Sequence, residues 1–211
     1  MSRKTKEEAE KTRARILASA LSLFVKKGYE KTTFTDIAAR LKMTKGAVYW
    51  HFETKEDLLV ALVEEIRDSE YYIPQLSFVA ELDGEIVGHF LFSRFPLSKT
   101  PTGGHGGANE TDIVMLAPVS VHADHLRQGI GSAMIRMGIE KVREMGFKGI
   151  TVEGNFHFYN QVGFRTSSEF GIFPTSGWPM SEPRCMMCQE TREGSLNGIR
   201  GYIVYDMYFN A

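Results

Sequence analysis

Seven consecutive residues, Leu126-Arg127-Gln128-Gly129-Ile130-Gly131-Ser132, carry the clearest chemistry in this chain of 211 residues. Gly129 and Gly131 have no Cβ, so a ligand can approach the backbone there. An apolar run from Ile113 to Val121 precedes the turn. A helical run from Gly129 to Met145 follows it, and a second apolar run spans Gly149 to Val152. Strand, glycine turn, helix and strand make a βαβ unit with parallel strands. The helix begins at the turn, so its first free N–H groups and its positive dipole end face whatever lies there. That arrangement suits phosphate, and Arg127 adds a cation beside it. A turn that merely joins two elements is the plainer alternative, since a short glycine motif is weak evidence by itself.

The neighbouring residues narrow the choice. The run from Val121 through Ser132 resembles the acyl-CoA-binding motif of the GNAT N-acyltransferase superfamily. Gly154-Asn155-Phe156-His157-Phe158-Tyr159-Asn160-Gln161-Val162-Gly163-Phe164 resembles that superfamily's later FYxxxGF segment. The resemblance covers Tyr72 to about Gly171 well and the tail more loosely. It departs at Leu126, where the family usually has Gln or Arg.

The resemblance implies an acetyl-CoA-dependent N-acetyltransferase. Pantetheine would pair with the backbone of Val119, Ser120 and Val121. The diphosphate would rest on Leu126, Arg127, Gln128, Gly129, Ile130, Gly131 and Ser132. The thioester would lie in a splayed gap between the two parallel strands, where an amine attacks it directly. Tyr159 matches the tyrosine that protonates the departing thiolate. Its surroundings alone (Phe156, Phe158 and Phe164) would make it a core aromatic. Asn155 either caps the following helix or binds amide groups of acyl-CoA. Asp112, His122 and Glu153 are the candidates for taking the acceptor's proton. Several family members place a carboxylate in the strand that here reads Val114-Met115-Leu116-Ala117, and this one has none. The family's usual first strand and two helices are also missing, because Tyr71 joins the pattern after they should have passed.

The composition is that of an ordinary globular protein, with 43% hydrophobic and 24% charged residues. No apolar run suits a bilayer span or a signal peptide, which points to the cytoplasm and away from a membrane. Cys185 and Cys188 are the sole cysteines. One C-x-x-C without a second pair is a poor zinc signal, so free buried thiols and no metal are expected. The charge is uneven. Residues 1–55 hold 13 Lys and Arg against 6 acids, a net of +7, and the whole chain sums to -1. A basic head on an acidic body suggests two modules, with the head meeting a polyanion.

In the head, Glu7 to Lys27 has an apolar face of Ile16, Leu17, Ala20, Leu21 and Phe24 at helical spacing, and Gly28 ends it. Thr35 is expected to cap a helix over Asp36 to Leu41. Lys42-Met43 is a tight turn. Thr44 caps Lys45 to Phe52, and Thr54 caps a fourth helix with Asp57 closing a capping box. Two short helices behind a longer one form a helix-turn-helix. Thr35 to Arg40, Gly46 to Phe52 and Lys55 to Leu58 resemble the DNA-binding domain of TetR-family repressors. The resemblance spans about Glu8 to Glu65. It implies contacts with double-stranded DNA from Thr35, Thr44, Lys45, Gly46, Ala47, Tyr49, His51 and Lys55. TetR proteins continue into a helical ligand-binding and dimerisation domain. Here strand-like sequence begins after Ser69, so binding to two half-sites would need a homodimer formed by the other module.

The expected fold is therefore α+β: a helix-turn-helix head over 1–70 and a GNAT-like mixed sheet with flanking helices over 71–211. Leu76 to Ala80 and Ile86 to Arg94 read as a hairpin around Asp83-Gly84. Pro101 to Asn109 reads as a glycine-rich loop holding a solvated His105. The helix after the glycine turn shows a narrow polar stripe, Ser132, Arg136, Glu140 and Arg143, and so should keep one edge wet. Gly201 to Met207 reads as a last strand. Three functions fit: an acetyltransferase with a DNA-binding head, a regulator whose body senses acyl-CoA without turnover, or two truncated modules joined with neither complete.

Overall fold

The computed structural model describes residues 3–27, 29, 31–101, 108–109, 111–174 and 183–204. Gly28, His105 and residues 205–207 of the expected last strand lie outside them. The described residues divide into two compact units, 3–69 and Glu70–Val204.

The first unit is four helices: α1 (Arg3–Lys27), α2 (Phe34–Leu41), α3 (Lys45–His51) and α4 (Lys55–Asp68). Ile16, Leu17 and Ala20 of α1 are buried against Ile37 of α2, Val48 of α3 and Leu58 of α4. The expected start of α2 is corrected. Its cap is Thr33, not Thr35, because Asp36 stands three residues after Thr33. Thr33 N donates to Asp36 Oδ2 at 2.9 Å, and Asp36 N donates back to Thr33 Oγ1 at 3.2 Å. Lys42 closes α2 in the left-handed conformation at φ 54°. Thr44 caps α3, and Thr54 with Asp57 forms a second capping box at α4. Arg13 of α1 donates to Glu65 of α4 at 2.6 Å.

The second unit contains β1 (Tyr72–Leu82), β2 (Glu85–Arg94), β3 (Leu97–Ser98), β4 (Ala108–Asn109), β5 (Ile113–Val121), α5 (Ile130–Glu144), β6 (Gly149–Glu153), α6 (Phe156–Tyr159), β7 (Arg165–Thr166), β8 (Ile172–Pro174), β9 (Met186–Glu190) and β10 (Gly201–Ile203). Asp83 and Gly84 turn the β1–β2 hairpin with positive φ of 53° and 87°. The larger sheet runs β1-β2-β5-β6-β9-β7, and a smaller one runs β4-β3-β10-β8. Within the larger sheet the parallel pair is β5 with β6, the βαβ unit expected from sequence.

Helix α5 packs Met134, Ile135, Ile139 and Val142 onto Phe90, Phe92, Val114, Ile150 and Val152. Gly138 makes that approach close, since a Cβ there would lie 2.6 Å from both Phe90 and Phe92. The wet side of α5 is wider than a narrow polar stripe. Ala133 is exposed, and Met137 is 48% exposed, because the sheet meets only one side of the helix.

Candidate acyl-donor cleft and nucleic-acid face

Strands β5 and β6 pair only over Ile113–Met115 and Gly149–Thr151. Beyond that they separate, and the cause lies in β5. Between its pairings with Phe92 and Phe90, β5 advances from Leu116 to Val119 while β2 advances two residues. The extra residue is a β-bulge at Ala117-Pro118, which bends the strand. Pro118 also has no N–H to give a ladder.

The bent strand leads into the glycine turn. A 3-10 turn over Ala123–His125 is followed by Arg127 at φ 60° and Gly129 at φ 84°. Ala133 N makes the first helical bond, to Gly129 O at 2.9 Å. The amides of Ile130, Gly131 and Ser132 therefore have no partner within the helix. They line a cleft of about 500 Å³ together with Val119 and Val121 on the strand side, His125, Leu126 and Arg127 before the helix, and Phe158, Tyr159 and Gln161 opposite. A Cβ on Gly131 would touch Phe158 and Val121 at 3.5 Å, filling the cleft floor without a clash.

Ser120, Gln128 and Asn155 are absent from the cleft lining, and their side chains are engaged locally. Ser120 Oγ donates to His89 O at 3.3 Å, leaving only its backbone to offer. Gln128 Nε2 donates to Asp124 O at 3.1 Å. Asn155 Oδ1 accepts from His157 N at 3.0 Å and caps α6, the first of its two expected roles. Sequence reading missed His125, Phe158 and Gln161. The last two sit one position before and two after Tyr159, close enough along one short helical stretch to face the same cleft.

Tyr159 ends α6. Its ring lies against Gly154, where a Cβ would come within 2.6 Å, and meets Phe158 and Phe164 edge-on at 5.0 and 5.7 Å. Burial pushes its hydroxyl up to about 12. Of the candidate bases, Asp112 is ion-paired to Lys148 at 2.8 Å. It precedes β5 at the end far from the cleft, on the order of 25 Å away by strand rise. His122 Nδ1 stands 3.8 Å from Asp124 on the surface. Glu153 ends β6 beside the gap. It alternates with Val152, so it faces the side of the sheet opposite α5, and its carboxylate oxygens are buried. Both cysteines are free thiols. Cys188 is buried, and burial raises its pKa, while Cys185 is half-buried.

In the head, α3 presents Thr44, Lys45, Gly46, Tyr49 and Trp50 to solvent, with Ala47 half-buried, and Thr35 is exposed in the first turn of α2. Thr44 Oγ1 is engaged by Ala47 N at 3.2 Å. Lys45 lies 5.3 Å over the Tyr49 ring. Lys55 is tied down, donating to Tyr29 O at 3.0 Å and standing 4.5 Å over that ring. Burial, then the Arg13 guanidinium, holds the half-buried His51 imidazole below its usual value. Trp50 is 66% exposed and was not anticipated as part of this face.

The larger sheet thus holds a βαβ unit split at a bulge, with open amides at its turn. The family model described as "Acetyltransferase (GNAT) family" matches residues 45–164. That for "Bacterial regulatory proteins, tetR family" matches residues 16–62. The chain belongs to the GNAT acetyltransferase family, and its helix-turn-helix head is similar to those of tetR-family regulators. The two matches share residues 45–62, so the GNAT likeness begins upstream of Tyr71. The uncharacterized N-acetyltransferase YjhQ of Escherichia coli is 31% identical over 140 residues, 65% of this chain and 71% of that protein. The HTH-type transcriptional regulator TtgR of Pseudomonas putida is 42% identical over 77 residues, 36% of this chain and 37% of that protein. The chain thus spans just over a third of the length of such regulators. The structure of the GNAT-family protein YhbS from Escherichia coli superposes with a TM-score of 0.59 at 22% identity, covering 78% of this chain and 83% of that one, which supports the fold. Among the described residues no helix is long and apolar enough to cross a membrane, and no group of three His, Cys, Asp or Glu could hold a metal ion.

Proposed function

We propose that the body transfers an acetyl group from acetyl-CoA to an amine and that the head binds duplex DNA. The observation that carries the first half is the cleft: three amides without helical partners at a left-handed turn, a floor at Gly131 that a Cβ would fill, and Tyr159 on the wall opposite. These residues fit a coenzyme A diphosphate, and the YhbS structure is a complex with CoA. The N–H groups of Ile130, Gly131 and Ser132 hold the diphosphate, with Arg127 beside them. The backbone of Val119 to Val121 directs the acyl arm into the gap between β5 and β6. Acetyl-CoA supplies an activated thioester there.

Tyr159 keeps its proton at Oη throughout the physiological range. A phenol at about 12 is a weaker acid than a thiol at about 8.5, so it acts chiefly by hydrogen-bonding charge as it develops on sulfur. Glu153, the candidate base at the gap, takes the acceptor's proton at its carboxylate. In the head, α3 enters a major groove, where Gly46 lets it approach closely. That role belongs to the cytoplasm. The experiment is acetyl-CoA turnover over a panel of amines: wild type should turn over, and Tyr159→Phe should lower kcat by about 10²–10³-fold while leaving coenzyme A affinity unchanged. Binding without product would support the sensor reading, for which the DNA-reading head speaks.

A further inference from the structure

Beside the cleft, in an adjoining groove, stands a second cation whose position suits a second phosphate. Arg136 lies one turn after Ser132 on the same side of α5, so their Cβ atoms are roughly 5–6 Å apart. One terminal nitrogen of Arg136 donates to Gln161 O at 2.9 Å, and Gln161 lines the cleft. The guanidinium is thereby fixed on the rim, beside an adjoining groove of about 430 Å³ that it shares with Met137 and Gln189. Among the described residues no carboxylate pairs with it. Arg143, by contrast, is bound to Glu140 and to Thr191 O, each at 2.6 Å. Most donors of the Arg136 fork are thus available to an anion.

The direction of the ligand follows from the cleft. With the diphosphate on the amides of 130–132 and the acyl arm running along Val119 and Val121, the nucleotide end leaves the other way, over Ser132 and Gln161. We infer that Arg136 binds the 3′-phosphate of coenzyme A and makes the cleft select coenzyme A over its dephospho form. This rests on the reading of the cleft given above. Arg127 cannot supply that selectivity, because it stands at the diphosphate, which both forms carry.

The test is calorimetric titration of coenzyme A and of dephospho-coenzyme A into the full chain. Wild type binds coenzyme A on the order of tenfold tighter, the worth of one charge-assisted phosphate contact. R136A and R136M, the second keeping the aliphatic stem, bind both forms equally, at the wild-type affinity for the dephospho form. R127A weakens both and preserves the ratio. Equal binding of the two forms by wild type overturns the inference while the cleft reading stands. So does an unchanged ratio in R136A and R136M, including a parallel loss that would make Arg136 only a brace for Gln161. Wild type binding neither form overturns both.

Discussion

Gly129 and Gly131 serve the turn in different ways. At Gly129 a Cβ would meet nothing within 4 Å, but φ is 84°, a conformation that L side chains resist. Gly129→Ala should therefore cost about 1–2 kcal/mol of stability, read by thermal unfolding. At Gly131 the backbone is helical and a Cβ has room. Gly131→Ala should keep the melting temperature and weaken coenzyme A binding in a titration, since the methyl takes space on the cleft floor. Tyr159 yields a pH prediction. Its raised value means that the proton is kept as pH rises and is lost only near 12. The kcat–pH profile should therefore show no alkaline fall through pH 10 that Tyr159→Phe removes. At this scale the placing of the glycines and the tyrosine at one cleft was legible, because residue type at close spacing marks them. Thr33 was misread for Thr35 because two threonines flank one possible helix start. The reciprocal bond to Asp36, a matter of three-residue spacing, decides between them.

At the scale of elements, the β5–α5–β6 unit was readable from apolar runs around a glycine turn. The bulge that opens it was not drawn from the sequence, although Pro118 inside an apolar strand was its signal. The wet side of α5 was underestimated because periodicity assigns exposed Met137 to the core by type, whereas the sheet covers only the opposite side. Gly138 marks that contact. Gly138→Ala should destabilise by about 1–3 kcal/mol, because the methyl would overlap Phe90 and Phe92, and chemical denaturation would read it. In the helical head, His51 has a lowered value, so its neutral form is favoured in the folded state. Its contribution is present above the unfolded value near 6.5 and is lost as pH falls through the folded one. Unfolding followed from pH 7 to 5 should show a loss in wild type that is smaller in His51→Gln.

At the scale of the molecule, the positive charge gathers in residues 1–55 of the head, while residues 56–69 bring five acids against one arginine. The 1–55 segment carries +7 of a chain whose total is -1. Binding of duplex DNA should weaken steeply with salt, and Lys45→Ala should reduce the log–log salt slope by about 1 across all sequences, measured by fluorescence anisotropy. The most direct test of the central claim is a titration of acetyl-CoA into the purified full chain. Saturable binding with one site per chain, weakened by Gly131→Ala and unchanged by Tyr159→Phe, is the predicted result. No binding by the wild-type chain would contradict the assignment of the cleft and, with it, the transferase activity.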